Sequence, residues 1–285
     1  MNSKKIAIAG STGFIAGELI KELKEYEIIK LVRNDFSLNR EQLAEKIKTA
    51  DVIINLAGYP IIKRWTKFNR KKIYDSRIKT TIKLVDAISL IEKKVHFINT
   101  SAIGIYCEQG IHNEESQSFS EGFILKLVMD WEHEAMKAAN SLNKVTILRI
   151  GIVLAKESDL IKKINLVFKA GFGGKIGTGK QWMSFIHIHD LINSIKFIIK
   201  SELTGIVNLT APNNVTNKEF TKIVSGLLKR PAFLTIPVIM LKLLYGKGAK
   251  IIYTGHRVLP EKLINQGFIF KYPDINSALK EIIVH

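Results

Sequence analysis

The residues whose types and spacing could carry chemistry begin at position 10. Gly10-Ser11-Thr12-Gly13-Phe14-Ile15-Ala16-Gly17 follows the apolar run Ile6-Ala7-Ile8-Ala9 and opens a segment with Leu19, Ile20 and Leu23 at helical spacing. Glycine at 10 permits a tight turn, and glycine at 13 removes the side chain that would block a pyrophosphate. A small residue at 16 lets the helix lie close to the strand. Free amides at the helix start would then face phosphates. The bland alternative is an empty turn kept for its shape. About twenty residues later the second run ends in Leu31-Val32-Arg33-Asn34-Asp35. An acid usually holds the ribose 2′-hydroxyl there, but Arg33 arrives first and suits a 2′-phosphate, which favours NADP(H). Asp35 would serve NAD(H) instead if the strand ends late.

Two other motifs invite chemistry and are better read otherwise. Gly174-Lys175-Ile176-Gly177-Thr178-Gly179-Lys180-Gln181 approaches a P-loop, but Gln181 stands where a Ser or Thr would hold Mg²⁺, and a helical stretch precedes it. Its glycines are expected to shape a flexible rim over a substrate cleft. His187-Ile188-His189-Asp190 would put both imidazoles on one strand face, with Asp190 as the cap of the next helix, and no metal site is expected. Cys107 is the single cysteine, so no internal disulfide or zinc cluster can form.

The elements that must position these residues alternate. Strands are expected at Lys5–Ala9, Ile28–Arg33, Val52–Leu56, Val95–Thr100, Val145–Ile150, Phe185–Ile188 and Gly205–Leu209. Helices are expected near Ile15–Lys24, Arg40–Thr49, Phe68–Ile91, Phe123–Leu142, Ser158–Ala170, Asp190–Ile199 and Asn217–Leu228. Such βαβ alternation predicts an α/β fold of Rossmann type, a doubly wound parallel sheet. Past Arg230-Pro231 the composition shifts, and Pro237, Pro260 and Pro273 punctuate apolar helical pieces. Residues 1–229 are therefore expected to form the dinucleotide-binding domain and residues 230–285 a small C-terminal domain on the substrate side.

Composition excludes several function classes. The chain has 285 residues, 46% of them hydrophobic, and a mean hydropathy of +0.09, enough to bury a core. No apolar run reaches the roughly 18 residues of a membrane span, and the N-terminus does not read as a signal peptide. A cytoplasmic address and no membrane partner are expected. With 43 Lys and Arg against 26 Asp and Glu, the net charge is +17. The cations are dispersed as pairs such as Lys71/Lys72 and Lys229/Arg230, so a solvated surface is favoured over a nucleic-acid site.

Gly10 to Ile15, Asn55-Leu56-Ala57-Gly58 and Thr100-Ser101-Ala102 leading to Tyr106 together resemble the extended short-chain dehydrogenase/reductase superfamily. Trp65, Ser76-Arg77, Trp131-Glu132, Arg149 to Leu154, Trp182 to Asp190 and Arg257 to Leu263 narrow the likeness. They resemble its atypical epimerase family, also labelled sugar nucleotide epimerase-like or, formerly, cell-division inhibitor-like. The likeness spans nearly the whole chain, C-terminal domain included. It implies NADP(H) as cofactor, Ala57 and Gly58 along its adenine-ribose side, and Arg77 reaching its phosphates or ribose. A plain turn at Gly58 and a surface cation at Arg77 are the competing readings.

The superfamily's chemistry needs a phenol with a lysine four positions on, which lowers the phenol's pKa, and a hydroxyl that fixes the carbonyl. In the matching helix those positions hold Ile124 and Val128, and the hydroxyl position falls on Ala102 with Ser101 beside it. Ser101 and Tyr106 are the catalytic candidates that remain, with Lys126 and Glu132 as further proton donors. The resulting expectation is an NADP(H)-binding oxidoreductase or epimerase acting on a small carbonyl or sugar-nucleotide-like substrate. The alternatives are a dinucleotide-sensing protein with reduced turnover and, least favoured, a nucleic-acid binder. Homo-oligomerisation stays open.

Overall fold

The computed structural model describes residues 4–284. Its first half alternates β1 (Lys5–Ala9), α1 (Phe14–Glu22), β2 (Glu27–Leu31), α2 (Arg40–Ile47), β3 (Val52–Asn55), α3 (Lys67–Ile88) and β4 (His96–Ala102). There follow β5 (Ile111–His112), α4 (Phe123–Met136), β6 (Lys144–Ile150), β7 (Ile152–Leu154), α5 (Asp159–Lys169) and β8 (Gly174–Ile176). Next come β9 (Trp182–Met183), β10 (Phe185–His187), α6 (Ile188–Ser201), β11 (Gly205–Leu209), β12 (Val215–Thr216) and α7 (Asn217–Leu228). The chain closes with β13 (Leu234–Ile236), α8 (Val238–Tyr245), α9 (Lys250–Tyr253), β14 (Arg257–Val258), α10 (Glu261–Asn265) and α11 (Ile275–Val284).

Six strands form one parallel sheet in the order β11-β6-β4-β3-β1-β2. The chain runs outward from β1 to β2 and then returns to place β3 on the other side of β1. This reversal leaves a crevice beyond the strand ends at β1/β3, where doubly wound sheets bind ligands. Both faces are covered, so the central strands β1 and β3 are buried in consecutive residues rather than in alternation. Ile6 and Ile8 of β1 join the core beneath α1 and α6, while Ala7 and Ala9 join the core beneath α2, α3 and α4.

Helix starts are fixed by side-chain caps: Asn39 with Gln42 for α2, Thr66 for α3, Ser158 for α5 and Thr216 with Glu219 for α7. Gly13, which begins α1, provides none.

Several boundaries depart from the sequence reading. β2 stops at Leu31 because Asp35 folds back to accept the Val32 amide at 2.7 Å, starting a short 3-10 turn at 33–37 that contains Arg33. Strand β10 stops at His187 and pairs with β7 outside the main sheet. The two histidines therefore do not share a strand face: His187 Nδ1 caps α6 and its Nε2 meets Glu281 at 2.9 Å, while His189 lies within the first turn of α6. Nor is Asp190 the cap. It is buried, and its carboxylate accepts the Lys271 and Tyr272 amides at 3.0 and 2.8 Å.

The smaller lobe is assembled from both halves of the chain. β8 pairs with β13, β5 with β14, and α7 packs on α11.

Candidate active site

The glycine turn is held by one carbonyl. Leu31 O, at the end of β2, accepts the Gly10 amide at 3.1 Å, the Ser11 amide at 3.3 Å and the Ser11 hydroxyl at 3.1 Å. Gly10 has φ of +75°, and a Cβ there would stand 2.8 Å from the Ala57 Cα. Thr12, Gly13 and Phe14 are exposed, and Gly13 folds its amide onto Gly10 O at 2.9 Å. No side chain caps α1 and no acid lies in its first turn, so its opening amides and positive dipole end stay available to an anion. Residues 10–15 thus present the cradle a pyrophosphate needs.

On the β2 side Arg33 is exposed and Asp35 is not. Burial alone would raise the Asp35 carboxyl. Hydrogen bonds from Lys46 and the Val32 amide, with the Lys46 charge, outweigh that and hold it below the usual carboxylate range. An Asp engaged in this way is not offered to a ribose diol, whereas the Arg33 guanidinium beside it is free to meet a phosphate.

The floor at β3 is set by a buried polar cluster. Asn55 donates to Thr81 Oγ1 at 3.0 Å and to Asn99 Oδ1 at 2.7 Å, while its own Oδ1 accepts the Ala57 amide at 3.2 Å. Trp131 Nε1 completes the cluster on Thr81 at 2.9 Å. Gly58 lies against Arg77, where a Cβ would come within 3.1 Å of Nη2. Arg77 Nη1 donates to the Tyr59 carbonyl at 2.9 Å and the Ile73 carbonyl at 3.2 Å, and burial pulls its pKa down to about 10. The placement gives Arg77 a defined job, clamping loop 58–60 to α3, where the Ser76 hydroxyl also accepts the Tyr59 amide at 2.9 Å.

That loop carries residues the sequence reading missed. Lys63 Nζ donates to the Tyr59 hydroxyl at 3.0 Å, and Lys72 Nζ lies 5.8 Å from the centre of the same ring. The Lys63 hydrogen bond, with the charges of Lys63, Lys72 and Arg33, draws the Tyr59 phenol below its ordinary pKa. Tyr59-Pro60-Ile61-Ile62-Lys63 is itself a Tyr-x-x-x-Lys spacing. It went unread because it lies outside the helix where the superfamily carries that pair.

Ser101 and Tyr106 lie below the surface. Ser101 Oγ donates to Glu132 Oε1 at 2.5 Å, and Arg149 grips both oxygens of Glu132 at 2.8 and 2.7 Å. Tyr106 is fully buried, donating to Asn208 Oδ1 at 2.9 Å and accepting from Arg149 Nη1 at 2.8 Å. Burial pushes this phenol up, only partly offset by Arg149 and Asn208. Lys126 is bound to Asp130 at 2.8 Å on the outside of α4. The position of the superfamily's phenol, Ile124, packs against Gly104.

The wall beside the segment after β4 comes from the C-terminal lobe. Arg257 stacks its guanidinium 4.4 Å above the Trp182 ring, and its Nε is buried without a hydrogen-bond partner. His256 Nδ1 meets Cys107 O at 3.0 Å, tying this wall to the segment after β4. The glycine-rich loop 177–181 leads into strand β9, not a helix, so it lacks the helix start a P-loop requires. Among the described residues no group of three His, Cys, Asp or Glu is placed to hold a metal.

Residues 6–209 match the NAD dependent epimerase/dehydratase family, and residues 236–282 match a domain of unknown function, DUF1731. The chloroplastic SDR39U1 homolog of Arabidopsis thaliana is 31% identical over 301 residues, covering 98% of this chain and 86% of its own. An epimerase family protein of Staphylococcus aureus strain MRSA252 is 32% identical over 298 residues, covering 98% and 99%. Human epimerase family protein SDR39U1, crystallised with NADPH, aligns at a TM-score of 0.89 with 24% identity over 99% of both chains. A nucleoside-diphosphate sugar epimerase from Corynebacterium glutamicum aligns at 0.81 with 25% identity, over 99% of this chain and 58% of its own. With its fold, glycine turn and full-length relatives in agreement, the chain belongs to the NAD dependent epimerase/dehydratase family.

Proposed function

We propose that the protein binds NADPH and works as an oxidoreductase or epimerase on a small carbonyl or sugar-nucleotide-like substrate. The observation that carries this reading is the pairing of an exposed Arg33 with an Asp35 withdrawn onto Lys46, beside a glycine turn that has no room for a side chain at Gly10. The human relative solved with NADPH supports it. Gly10 to Ile15 would hold the pyrophosphate, Ala57 and Gly58 the adenosine side, and Arg33 the 2′-phosphate, with Arg77 fixing the loop between them. When bound, the nicotinamide supplies the hydride chemistry.

Tyr59, bonded to Lys63 and flanked by Lys72, adjoins Gly58 and so offers its hydroxyl to the adenosine side of the cofactor in this proposal. Ser101 and Tyr106 act as positioning residues that fix the end of β4. Arg257, planar on Trp182 and with a spare buried donor, suits an anionic group on the substrate. In this division of work the cofactor lies on the main sheet, and substrate closure comes from residues 230–285 together with the segments β5, β8 and β9 that pair or stack with them.

Titrating NADPH and NADH against tryptophan fluorescence tests the reading. Arg33→Ala should weaken NADPH by about 10- to 100-fold, the worth of a charge-assisted hydrogen-bond pair, and NADH far less. Equal losses, or no saturable response to either dinucleotide, would overturn it. A second reading, a dinucleotide sensor with reduced turnover, is favoured by Ile124 and Val128 at the superfamily's phenol and lysine positions. Oxidation of NADPH across a panel of carbonyls separates the enzyme from the sensor.

A further inference from the structure

Two chain segments that fold together in the C-terminal lobe contain no carboxylate. Between Asp159 and Asp190 there are five lysines and no acid, and between Glu219 and Glu261 seven lysines or arginines and no acid. The β8–β13 pairing joins them. Lys163, Lys169, Lys229, Arg230, Lys242 and Lys247 are all exposed there.

The same lobe leaves its largest apolar side chains bare. Helix α8, Val-Ile-Met-Leu-Lys-Leu-Leu-Tyr, buries none of its residues and packs chiefly on the turn and short helix that follow it. Ile239, Met240, Leu243 and Leu244 recur at i, i+1, i+4 and i+5 and so form one stripe, each more than half exposed. Phe233 is 92% exposed just ahead of β13, and Phe172 is 67% exposed just ahead of β8. The register Leu234↔Gly174 brings these two phenylalanines to the same end of the pair. Leu166 of α5 extends the exposed apolar surface on that side, since the Phe172 amide bonds Val167 O at 3.0 Å.

Water-facing aromatics and leucines among exposed cations, of which only Lys162 and Lys250 pair with an acid among the described residues, match one kind of surface, an anionic bilayer. There apolar side chains enter the acyl boundary and each lysine gains from the headgroup charge. A protein partner of ordinary composition would meet the apolar stripe but leave the cations without counter-charge. We propose that this face is a peripheral docking surface for anionic lipid membranes, with Phe172, Phe233 and the α8 stripe entering the interface. No helix among the described residues is long and apolar enough to cross a membrane, so the contact is to one leaflet. The proposal stands independently of the cofactor reading.

The test is sedimentation of the full chain with vesicles of phosphatidylcholine alone and with an equal mixture of phosphatidylcholine and phosphatidylglycerol. The mixed vesicles should retain at least about tenfold more protein. The double variant Phe233→Ser/Leu243→Ser and the double variant Lys229→Glu/Arg230→Glu should each lower that retention by about tenfold or more. An unchanged melting transition shows that both remain folded. Equal retention on the two vesicle types overturns the proposal, as does wild-type retention of either variant. So does light scattering that finds a dimer which the Phe233/Leu243 variant dissociates, because a second copy then covers the face.

Discussion

Gly10 and Ala57 face each other across the β1/β3 reversal so closely that a Cβ on Gly10 would meet the Ala57 Cα at 2.8 Å and its nitrogen at 2.9 Å. The contact is backbone against backbone, so no rotamer change can relieve it. Gly10→Ala must also hold a φ of +75°, a strain of about 1–3 kcal/mol by itself. The expected result is a protein destabilised by at least that amount in urea and without measurable NADPH affinity. Retention of wild-type stability and binding would show that the turn can open.

The Glu132–Arg149 pair makes a larger demand on stability. Their side chains are 12% and 4% exposed, and the carboxylate also accepts the Ser101 hydroxyl. Glu132→Ala leaves a buried guanidinium with no counter-charge, at a cost of about 3–5 kcal/mol. Glu132→Gln, which keeps an acceptor for Arg149, should lose less. Denaturant midpoints of the two variants check the order, and a reversed order would mean that the retained amide oxygen does not serve Arg149.

The alternation of strands and helices and the glycine turn were legible in the sequence, because each rests on local periodicity or on residues adjacent in the chain, whereas Arg33, expected as the last residue of β2, lies in the turn beyond it. Nor was the fate of Asp35 legible. Its capture by Lys46, eleven positions on, depends on where the strand ends, which the sequence left open between two residues. His187 and Asp190 were misread for a related reason. Their partners, Glu281 and the amides of Lys271 and Tyr272, come from the far end of the chain, and local spacing carries no trace of them. The Asn55–Thr81–Asn99–Trp131 cluster under the site is equally nonlocal.

Tyr106 separates a structural from a catalytic assignment. Tyr106→Phe removes the hydroxyl shared by Arg149 and Asn208, which should cost about 1–3 kcal/mol for the buried groups left unpaired. NADPH affinity should stay within about twofold, since the ring itself remains stacked on His112 at 5.1 Å. The opposite pattern, full stability with loss of turnover, would return Tyr106 to the catalytic role that its position after β4 suggests in the sequence.

His96 predicts a pH dependence of folding. It opens β4 with its Nδ1 buried and without a partner and its Nε2 2.7 Å from Thr146 Oγ1. Burial, reinforced by the charges of Lys144, Lys4 and Lys94 against that of Glu202, lowers its pKa from 6.5 to about 4. The unfolded chain therefore binds the proton first as pH falls. The stabilisation from a neutral His96 is complete above about pH 6.5, declines between there and about pH 4, and changes no further below. By pH 5 the loss from this residue should be on the order of 2 kcal/mol. His187 and His256, also lowered by burial, add to the wild-type slope. His96→Gln keeps a polar group for Thr146 but no titration, so subtracting its urea midpoints from those of the wild type at pH 7.5 and pH 5 isolates the His96 contribution. Parallel pH profiles for the two proteins would mean that His96 takes up its proton equally in the folded and unfolded chains.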